Sequence, residues 1–242
     1  KNNKGTEDNR VRKFDYLIQI SKLFYERFIK NGEITLFSPN HVPDLYEAFG
    51  MPEFDSLYLK YEKDKSIPKQ TIGAQDLFQA LLKERAETGR IYIMNIDHCN
   101  THSSFKDKIY MSNLCQEITL PTKPINHIDD EEGEIALCIL SAINLGLIKE
   151  KEELEELCDL SVRALEEIID YQKYPVKAAQ KSTEARRSLG IGYIGLAHFL
   201  AKNKVKYDDP QALNLVDEIT EAFQYYLLKS SNNLAKERGA CE

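Results

Sequence analysis

The apolar residues of the chain predict an α/β fold. Residues 154–169 and 213–234 carry apolar side chains at helical spacing, which is typical of amphipathic helices. Residues 91–96 and 189–191 are short apolar runs of the kind that form strands. Because strands alternate with helices along the sequence, we expect an α/β architecture.

In the first half of the chain, helices precede a strand and a long loop. The predicted elements are a helix over residues 14–30 ended by Asn31-Gly32, a helix over 54–61, a helix over 77–82 closed by Gly89, the strand at 91–96 and a loop over 97–112. Asp8 or Asn9 is the expected cap of the first helix. A loop longer than about a dozen residues usually has a function, so residues 97–112 are of interest.

The second half repeats the alternation of strand and helix. The predicted elements are a strand over residues 135–140, a helix over 154–169 ending near Tyr171, a strand over 189–191 and a long helix over 213–234 with Gly239 past its end. An acidic run over residues 129–134 is interpreted as a solvated turn. No repeat or linker divides the sequence, so residues 1–242 are interpreted as a single domain.

Composition excludes several classes of function. The 242 residues are 42% hydrophobic and 29% charged, as expected of a folded protein. The net charge of −7, with Lys and Arg interspersed among acids, argues against a nucleic-acid partner. No run of about 18 apolar residues predicts a membrane span, and the polar residues 1–13 are not a signal peptide. Five irregularly spaced cysteines indicate a reducing, cytoplasmic location instead of a disulfide framework.

Asn113-Leu114-Cys115-Gln116-Glu117 carries the most informative chemistry. It places an amide, a thiol and a carboxylate at alternate positions, which face the same way in an extended segment. The amide can hold a hydroxyl, the carboxylate can accept a proton, and the thiol can act as a nucleophile or a one-electron redox centre. The alternative interpretation is a structural loop with a buried cysteine.

Several collinear blocks resemble the large, catalytic subunit of class I ribonucleotide reductase. The most specific block runs from Ser112 through Cys115 to Pro124. The other blocks are Lys1-Asn2-Asn3-Lys4-Gly5, Thr35-Leu36-Phe37-Ser38-Pro39, Thr88-Gly89-Arg90-Ile91-Tyr92, Asp97-His98-Cys99-Asn100-Thr101-His102-Ser103, Gly133-Glu134-Ile135-Ala136-Leu137-Cys138, Leu140-Ser141-Ala142-Ile143-Asn144-Leu145-Gly146 and Arg186-Arg187-Ser188-Leu189-Gly190-Ile191-Gly192.

The resemblance implies a fold that periodicity alone does not predict. It implies that residues 1–242 are the central part of a ten-stranded α/β barrel, in which a central finger loop carries the radical cysteine at its tip. The family pattern continues beyond the chain at both ends. We therefore expect a fragment, or one piece of a divided subunit, that is inactive without the rest of the subunit.

The resemblance also implies residue roles. Cys115 matches the cysteine that carries a thiyl radical, Glu117 the general base, and Asn113 the amide that holds the substrate's hydroxyls. Cys138 matches one member of the redox-active cysteine pair, whose partner has no equivalent in this sequence. The implied reaction is reduction of a ribonucleoside diphosphate or triphosphate to the deoxyribonucleotide, with the diphosphate being usual for this class.

Cofactors and partners follow from the same resemblance. It implies no cofactor or metal in this chain, a radical supplied by a dinuclear metal centre of a separate small subunit, and nucleotide effectors that bind parts of the subunit outside it. The implied partners are the remaining portions of the large subunit, the small subunit, thioredoxin or glutaredoxin, and the ribonucleotide substrate.

Three alternatives remain. Gly190, Gly192 and Gly195 form a G-x-G-x-x-G sequence, which could indicate a nicotinamide-dependent oxidoreductase. His98, Cys99 and His102 are zinc-ligand types, although they lack a second ligand pair. The chain could also be an inactive structural piece that completes a larger subunit. Cys158 is interpreted as a buried structural thiol within a helix, and Cys241 as incidental.

Overall fold

The computed structural model describes residues 14–242 and divides the chain into two compact units, Lys1–Pro121 and Thr122–Glu242. The expected cap at Asp8 or Asn9 and the first family block lie outside the described residues. Each unit has its own apolar core. The interpretation of the whole chain as one domain stays a prediction.

The first unit alternates strands with helices, as predicted. Its elements are β1 (Tyr16–Ile20), α1 (Lys22–Ile29), β2 (Glu33–Phe37), α2 (Pro43–Ala48), α3 (Phe54–Lys63), β3 (Lys69–Gly73), α4 (Ala74–Thr88), β4 (Ile91–Asn95) and α5 (Ile96–Thr101). β1 pairs in parallel with β4, and β2 pairs antiparallel with β3. Helices α1, α3 and α4 pack against the core of this unit.

Helices α3 and α4 and strand β4 confirm predictions, whereas the predictions for residues 14–30 and 97–112 are confirmed over only part of their length. The expected helix over residues 14–30 is strand β1 followed by the shorter helix α1. Its first residues extend because they pair with β4 in the register Tyr16↔Ile91, and Ser21 Oγ then caps α1 by accepting a hydrogen bond from Phe24 N–H at 3.4 Å. The expected loop over 97–112 begins as helix α5.

The second unit has the same alternation. Its elements are β5 (Ile139–Asn144), a 3₁₀ turn (Leu145–Leu147), α6 (Glu153–Tyr171), α7 (Lys177–Arg186), β6 (Leu189–Ile194), α8 (Leu196–Lys202) and α9 (Pro210–Arg238). β5 and β6 pair in parallel, with Leu140 opposite Gly190. Helices α6 and α9 pack on this pair around Cys158, Ile219 and Phe223.

Helices α6 and α9 and strand β6 confirm the sequence prediction, but the strand predicted over residues 135–140 lies four residues later. Ile135 N–H donates to Ala178 O in α7 at 3.1 Å, so the chain there follows a helix end instead of a neighbouring strand. The register with β6 starts only at Ile139. Local periodicity could not detect this difference, because the apolar run over residues 135–140 resembles a strand whether or not a partner strand lies beside it.

The interpretation of residues 129–134 as a solvated turn was wrong for two of its members. Asp130 and Glu134 are both buried. Asp130 accepts hydrogen bonds from the N–H groups of Asn126 and Glu132, both at 2.8 Å. Glu134 accepts a hydrogen bond from Lys123 Nζ at 2.6 Å. The carboxylates therefore organise the loop from inside.

Within residues 14–242, no helix is both long enough and apolar enough to cross a membrane.

Candidate active site

Cys115 lies at the corner of a tight turn. Gln116 N–H donates to Asn113 O at 3.2 Å and closes a turn with Leu114 and Cys115 at its corner. The expectation of an extended segment, with alternate side chains facing one volume, was therefore wrong. Residues 112–118 are called the Cys115 turn below.

Side chains of the Cys115 turn hydrogen-bond its own backbone. Asn113 Oδ1 accepts from Ile118 N–H at 3.0 Å, and the Ser112 hydroxyl donates to Ile118 O at 2.7 Å. These bonds join the two ends of the turn, so Asn113 is a structural residue here as well as a predicted binding residue. Because its oxygen already accepts the backbone N–H, its Nδ2 group is the part suited to donate to a ligand hydroxyl.

Cys115 and Glu117 both have exposed side chains. The alternative of a structural loop around a buried cysteine is therefore wrong for Cys115, since a buried packing thiol would be covered. In the described part of the chain, the Glu117 carboxylate forms no ion pair or hydrogen bond. A thiol and a carboxylate two residues apart are thus both accessible to a ligand.

Gln116 is a feature that sequence reasoning missed. Its φ of 66° places it in the left-handed region, where residues other than glycine are uncommon. Its Nε2 is buried and has no hydrogen-bond partner among the residues described. Backbone strain and an unsatisfied donor, each costing about 1–3 kcal/mol, tend to occur at functional sites. No local sequence signal marks either property.

Cys138 lies in the second unit, directly before β5. Its side chain is half-buried, and its sulfur lies against the backbone of Gly190 in the neighbouring strand β6. Cys138 belongs to the same compact unit as β5 and β6, and its thiol borders this strand pair.

The model of the ribonucleotide reductase barrel domain matches residues 1–242. The chain belongs to this family. It is 60% identical over 247 residues to a ribonucleoside-diphosphate reductase subunit alpha of Haemophilus influenzae, covering 100% of this chain and 33% of the relative. It is 58% identical over 246 residues to the ribonucleoside-diphosphate reductase 1 subunit alpha of Escherichia coli. It is 44% identical over 250 residues to the ribonucleoside-diphosphate reductase subunit alpha of Enterobacteria phage T4. Each of these two matches covers 100% of this chain and 32% of the relative. The chain thus spans about a third of the length of these relatives.

The G-x-G-x-x-G sequence has a structural explanation in this ribonucleotide reductase barrel domain. Gly190 and Gly192 lie within β6, and only Gly195 lies at the turn into α8. A dinucleotide-binding fingerprint places its glycines in the turn after the strand, where backbone approaches the pyrophosphate. The φ of Gly195 is 76°, which favours glycine at that turn. This placement argues against a nicotinamide site.

The His98-Cys99 region of the barrel domain also has a packing explanation. Cys99 is half-buried and packs against a cluster formed by Met94, Ile96 and Ile109. Burial raises the pKa of its thiol, which disfavours the thiolate that zinc requires. Across residues 14–242, no group of three or more His, Cys, Asp and Glu side chains is arranged to hold a metal ion.

The prediction that Cys158 is a buried structural thiol within a helix is confirmed. It is fully buried in α6, and its sulfur lies 4.0 Å from Phe223 O of α9. Burial raises its pKa to about 11. Cys241, by contrast, is exposed. The five cysteines therefore differ sharply in accessibility, and Cys115 is the exposed thiol flanked by an amide and a carboxylate.

Proposed function

We propose that the chain is the catalytic barrel region of a ribonucleoside-diphosphate reductase alpha subunit, which replaces the 2′-hydroxyl of a ribonucleotide by hydrogen. The observation that carries this proposal is the exposed Cys115 at the corner of a turn, between Asn113 and Glu117. Membership of the barrel-domain family and the names of its relatives support it.

The finer fold is part of the proposal. A ten-stranded α/β barrel with the Cys115 turn as the tip of a central finger loop would need pairs of adjacent parallel strands. The parallel pairs β1–β4 and β5–β6 are consistent with this arrangement. In such a barrel, helices cover the outside of the strands, as α6 and α9 cover the β5–β6 pair.

The first chemical step uses Cys115 and Glu117. A ribonucleotide's 2′-hydroxyl is a poor leaving group until a radical forms on the neighbouring carbon. The Cys115 thiyl radical takes the 3′-hydrogen atom and becomes a thiol, while Glu117 accepts the proton of the 3′-hydroxyl. Asn113 Nδ2 donates a hydrogen bond to the substrate's hydroxyls and holds them beside the sulfur. The exposure of Cys115 and Glu117 supports these roles.

The second step uses Cys138 and a second thiol elsewhere in the complete subunit. The pair supplies two hydrogens and two electrons: one proton leaves with the 2′-oxygen as water, one hydrogen goes to C2′, and an S–S bond forms between the sulfurs. Glu117 then returns its proton to the 3′-oxygen. Cys115 returns its hydrogen atom to C3′ and regenerates the radical. The substrate is reduced and the thiol pair is oxidised, so each turnover requires re-reduction.

The partners follow from this chemistry. A separate small subunit with a dinuclear metal centre supplies the radical to Cys115. Thioredoxin or glutaredoxin re-reduces the disulfide, and nucleotide effectors bind the alpha subunit outside residues 1–242. We place the assembly in the cytoplasm, where a reducing environment keeps such thiols available.

The test uses the complete alpha subunit that contains this sequence, combined with its small subunit. Cys115→Ser should abolish both release of tritium from 3′-labelled substrate and deoxyribonucleotide formation, because a hydroxyl binds its hydrogen too strongly to act as the radical carrier. Cys241→Ser is the control, since Cys241 is also exposed. Substantial tritium release by the Cys115→Ser enzyme would refute the radical assignment.

A further inference from the structure

The sulfur of Cys138 occupies space that a side chain on Gly190 would need. A methyl group placed on Gly190 would lie 2.8 Å from Cys138 Sγ and 2.5 Å from Leu140 Cδ2. Both distances are well below the ordinary van der Waals contact of about 3.5–4.0 Å. The thiol therefore lies beside the position that a Cβ of residue 190 would occupy.

Gly190 is required for space and not for backbone conformation. Its φ is not among the positive values found at Gly50, Gly89, Gly195 and Gly239. It lies in β6 opposite Leu140, in an ordinary parallel register. Gly192 in the same strand has no atom within 4 Å of the position where a Cβ would be. Of the two glycines, Gly190 thus faces the Cys138 sulfur and the end of Leu140, whereas Gly192 faces neither.

We propose that Gly190 is a positioning residue for Cys138, and that it leaves the space in which the redox thiol is held. This inference rests on the proposed redox function of Cys138. The G-x-G-x-x-G sequence would then contain a residue that serves thiol chemistry instead of dinucleotide binding.

The two side chains crowded by a methyl group can respond differently. Leu140 is 62% exposed, so its end can turn into solvent at little cost. Cys138 Sγ is one bond from its Cβ and can move only by rotation about Cα–Cβ, since β5 begins at the next residue. Gly190→Ala should therefore keep the strand pair and turn the sulfur away from its position.

A displaced sulfur should complete the second step more slowly. An S–S bond needs a sulfur separation near 2.05 Å and a restricted dihedral angle, so a rotated thiol loses its partner. A misplacement of about 1 Å can cost about 10²-fold in rate. Abstraction of the 3′-hydrogen by Cys115 does not involve Cys138 and should continue.

The experiment compares Gly190→Ala with Gly192→Ala in the complete alpha subunit with its small subunit. Three quantities are measured: tritium release from 3′-labelled substrate, the fraction of Cys138 in a disulfide after one turnover, and steady-state turnover with reductant. We expect Gly190→Ala to retain tritium release while Cys138 oxidation and turnover fall by about 10²-fold. Gly192→Ala should match the wild type in all three.

A second variant separates the effect of crowding the Cys138 sulfur from the effect of crowding the Leu140 side chain. Combining Gly190→Ala with Leu140→Ala removes the other crowded group, and turnover should remain low. Restored turnover in the double variant, or equal losses in Gly190→Ala and Gly192→Ala, would overturn the proposal.

An assay without turnover separates this inference from the proposed function. The rate at which iodoacetamide alkylates Cys138 in the folded subunit, measured by peptide mass mapping, should change in Gly190→Ala and not in Gly192→Ala. An unchanged rate would refute the positioning role. If Cys138 of the wild type stays reduced after turnover, the redox function fails instead, while the alkylation rates still decide whether Gly190 places the sulfur.

Discussion

Arg186 and Glu134 form an ion pair in which both side chains are nearly buried, with 10% and 6% of their surfaces exposed. Lys123 Nζ reaches the other oxygen of the carboxylate at 2.6 Å. Lys123 and Glu134 also exchange two backbone hydrogen bonds of 3.1 Å each, which close the loop between them. The Glu134 carboxylate thus joins the base of this loop to the end of α7. Glu134 itself lies four residues before Cys138 in the sequence.

The first prediction concerns the stability that this ion pair supplies. Glu134→Gln removes the charge that Arg186 faces, and breaking a buried pair costs about 3–5 kcal/mol. We expect a loss of that order in the free energy of unfolding at pH 7, measured by denaturant titration. Glu131→Gln is the matched control, because Glu131 pairs with Lys177 at an exposed position. A similar small effect for both variants would contradict the prediction.

The same pair predicts a dependence on pH. Burial raises the pKa of Glu134, but hydrogen bonds from Lys123 and Arg186 outweigh it, so its pKa lies below the ordinary value of 4.5. A lowered pKa in the folded state means that the stabilisation is fully present above pH 4.5 and is lost as the pH falls through the folded-state value. The stability difference between wild type and Glu134→Gln should therefore shrink on acidification below pH 4.5.

The second prediction concerns Asp130. Hydrogen bonds from the backbone N–H groups of Asn126 and Glu132 lower the pKa of its carboxyl to about 2, so it stays ionised well into the acid range. The Asp130 carboxylate accepts hydrogen bonds from the backbone amides of Asn126, Glu132 and Gly133. Asp130→Ala should therefore speed hydrogen exchange at these three amides. Asp129→Ala is the control, because Asp129 is exposed. Unchanged exchange in Asp130→Ala would show that other contacts hold the loop.

The third prediction compares thiols. Burial raises the pKa of Cys158 to about 11, and only the thiolate reacts with alkylating reagents. At pH 8 we expect iodoacetamide to label the exposed Cys115 and Cys241 at least ten times faster than Cys158. This pH is about three units below the pKa of Cys158, so only about one Cys158 thiol in 10³ is ionised. Peptide mass mapping of the folded protein measures the rates. Rapid labelling of Cys158 without unfolding would contradict its buried position.

The fourth prediction concerns Glu117. Glu117→Gln preserves the shape of the side chain and removes the carboxylate that we propose as the general base, and a general base is typically worth about 10²–10⁴ in rate. Turnover of the complete enzyme should fall by that factor, while nucleotide affinity changes little. Equilibrium binding and single-turnover rates measure the two separately. If affinity collapses while the rate per bound substrate is retained, Glu117 is a binding residue.

Much of the fold was predictable because its signals are local. Helices α6 and α9 follow the apolar spacing of their own residues, and Gly89 adopts the left-handed conformation that ends α4. Strand β4 was recognisable as a short apolar run. The order of the sequence blocks around Cys115 was enough to indicate the family. Each of these signals depends on residues close together in the chain.

The remaining features were decided by partners distant in sequence. Residues 16–20 have a spacing compatible with a helix, and only pairing with β4 makes them a strand, since strand formation depends on its neighbours. Asp130 and Glu134 look like a solvated acidic run, but their buried hydrogen bonds and ion pair come from the folded loop and α7. In the sequence, Gly190 is part of a pattern typical of nucleotide binding, and only the folded structure brings the Cys138 sulfur next to it. The sequence by itself therefore determined the family, the α/β class and the reactive residue types, whereas tertiary structure decided which strands pair, which charges are buried and which glycine makes room for a thiol.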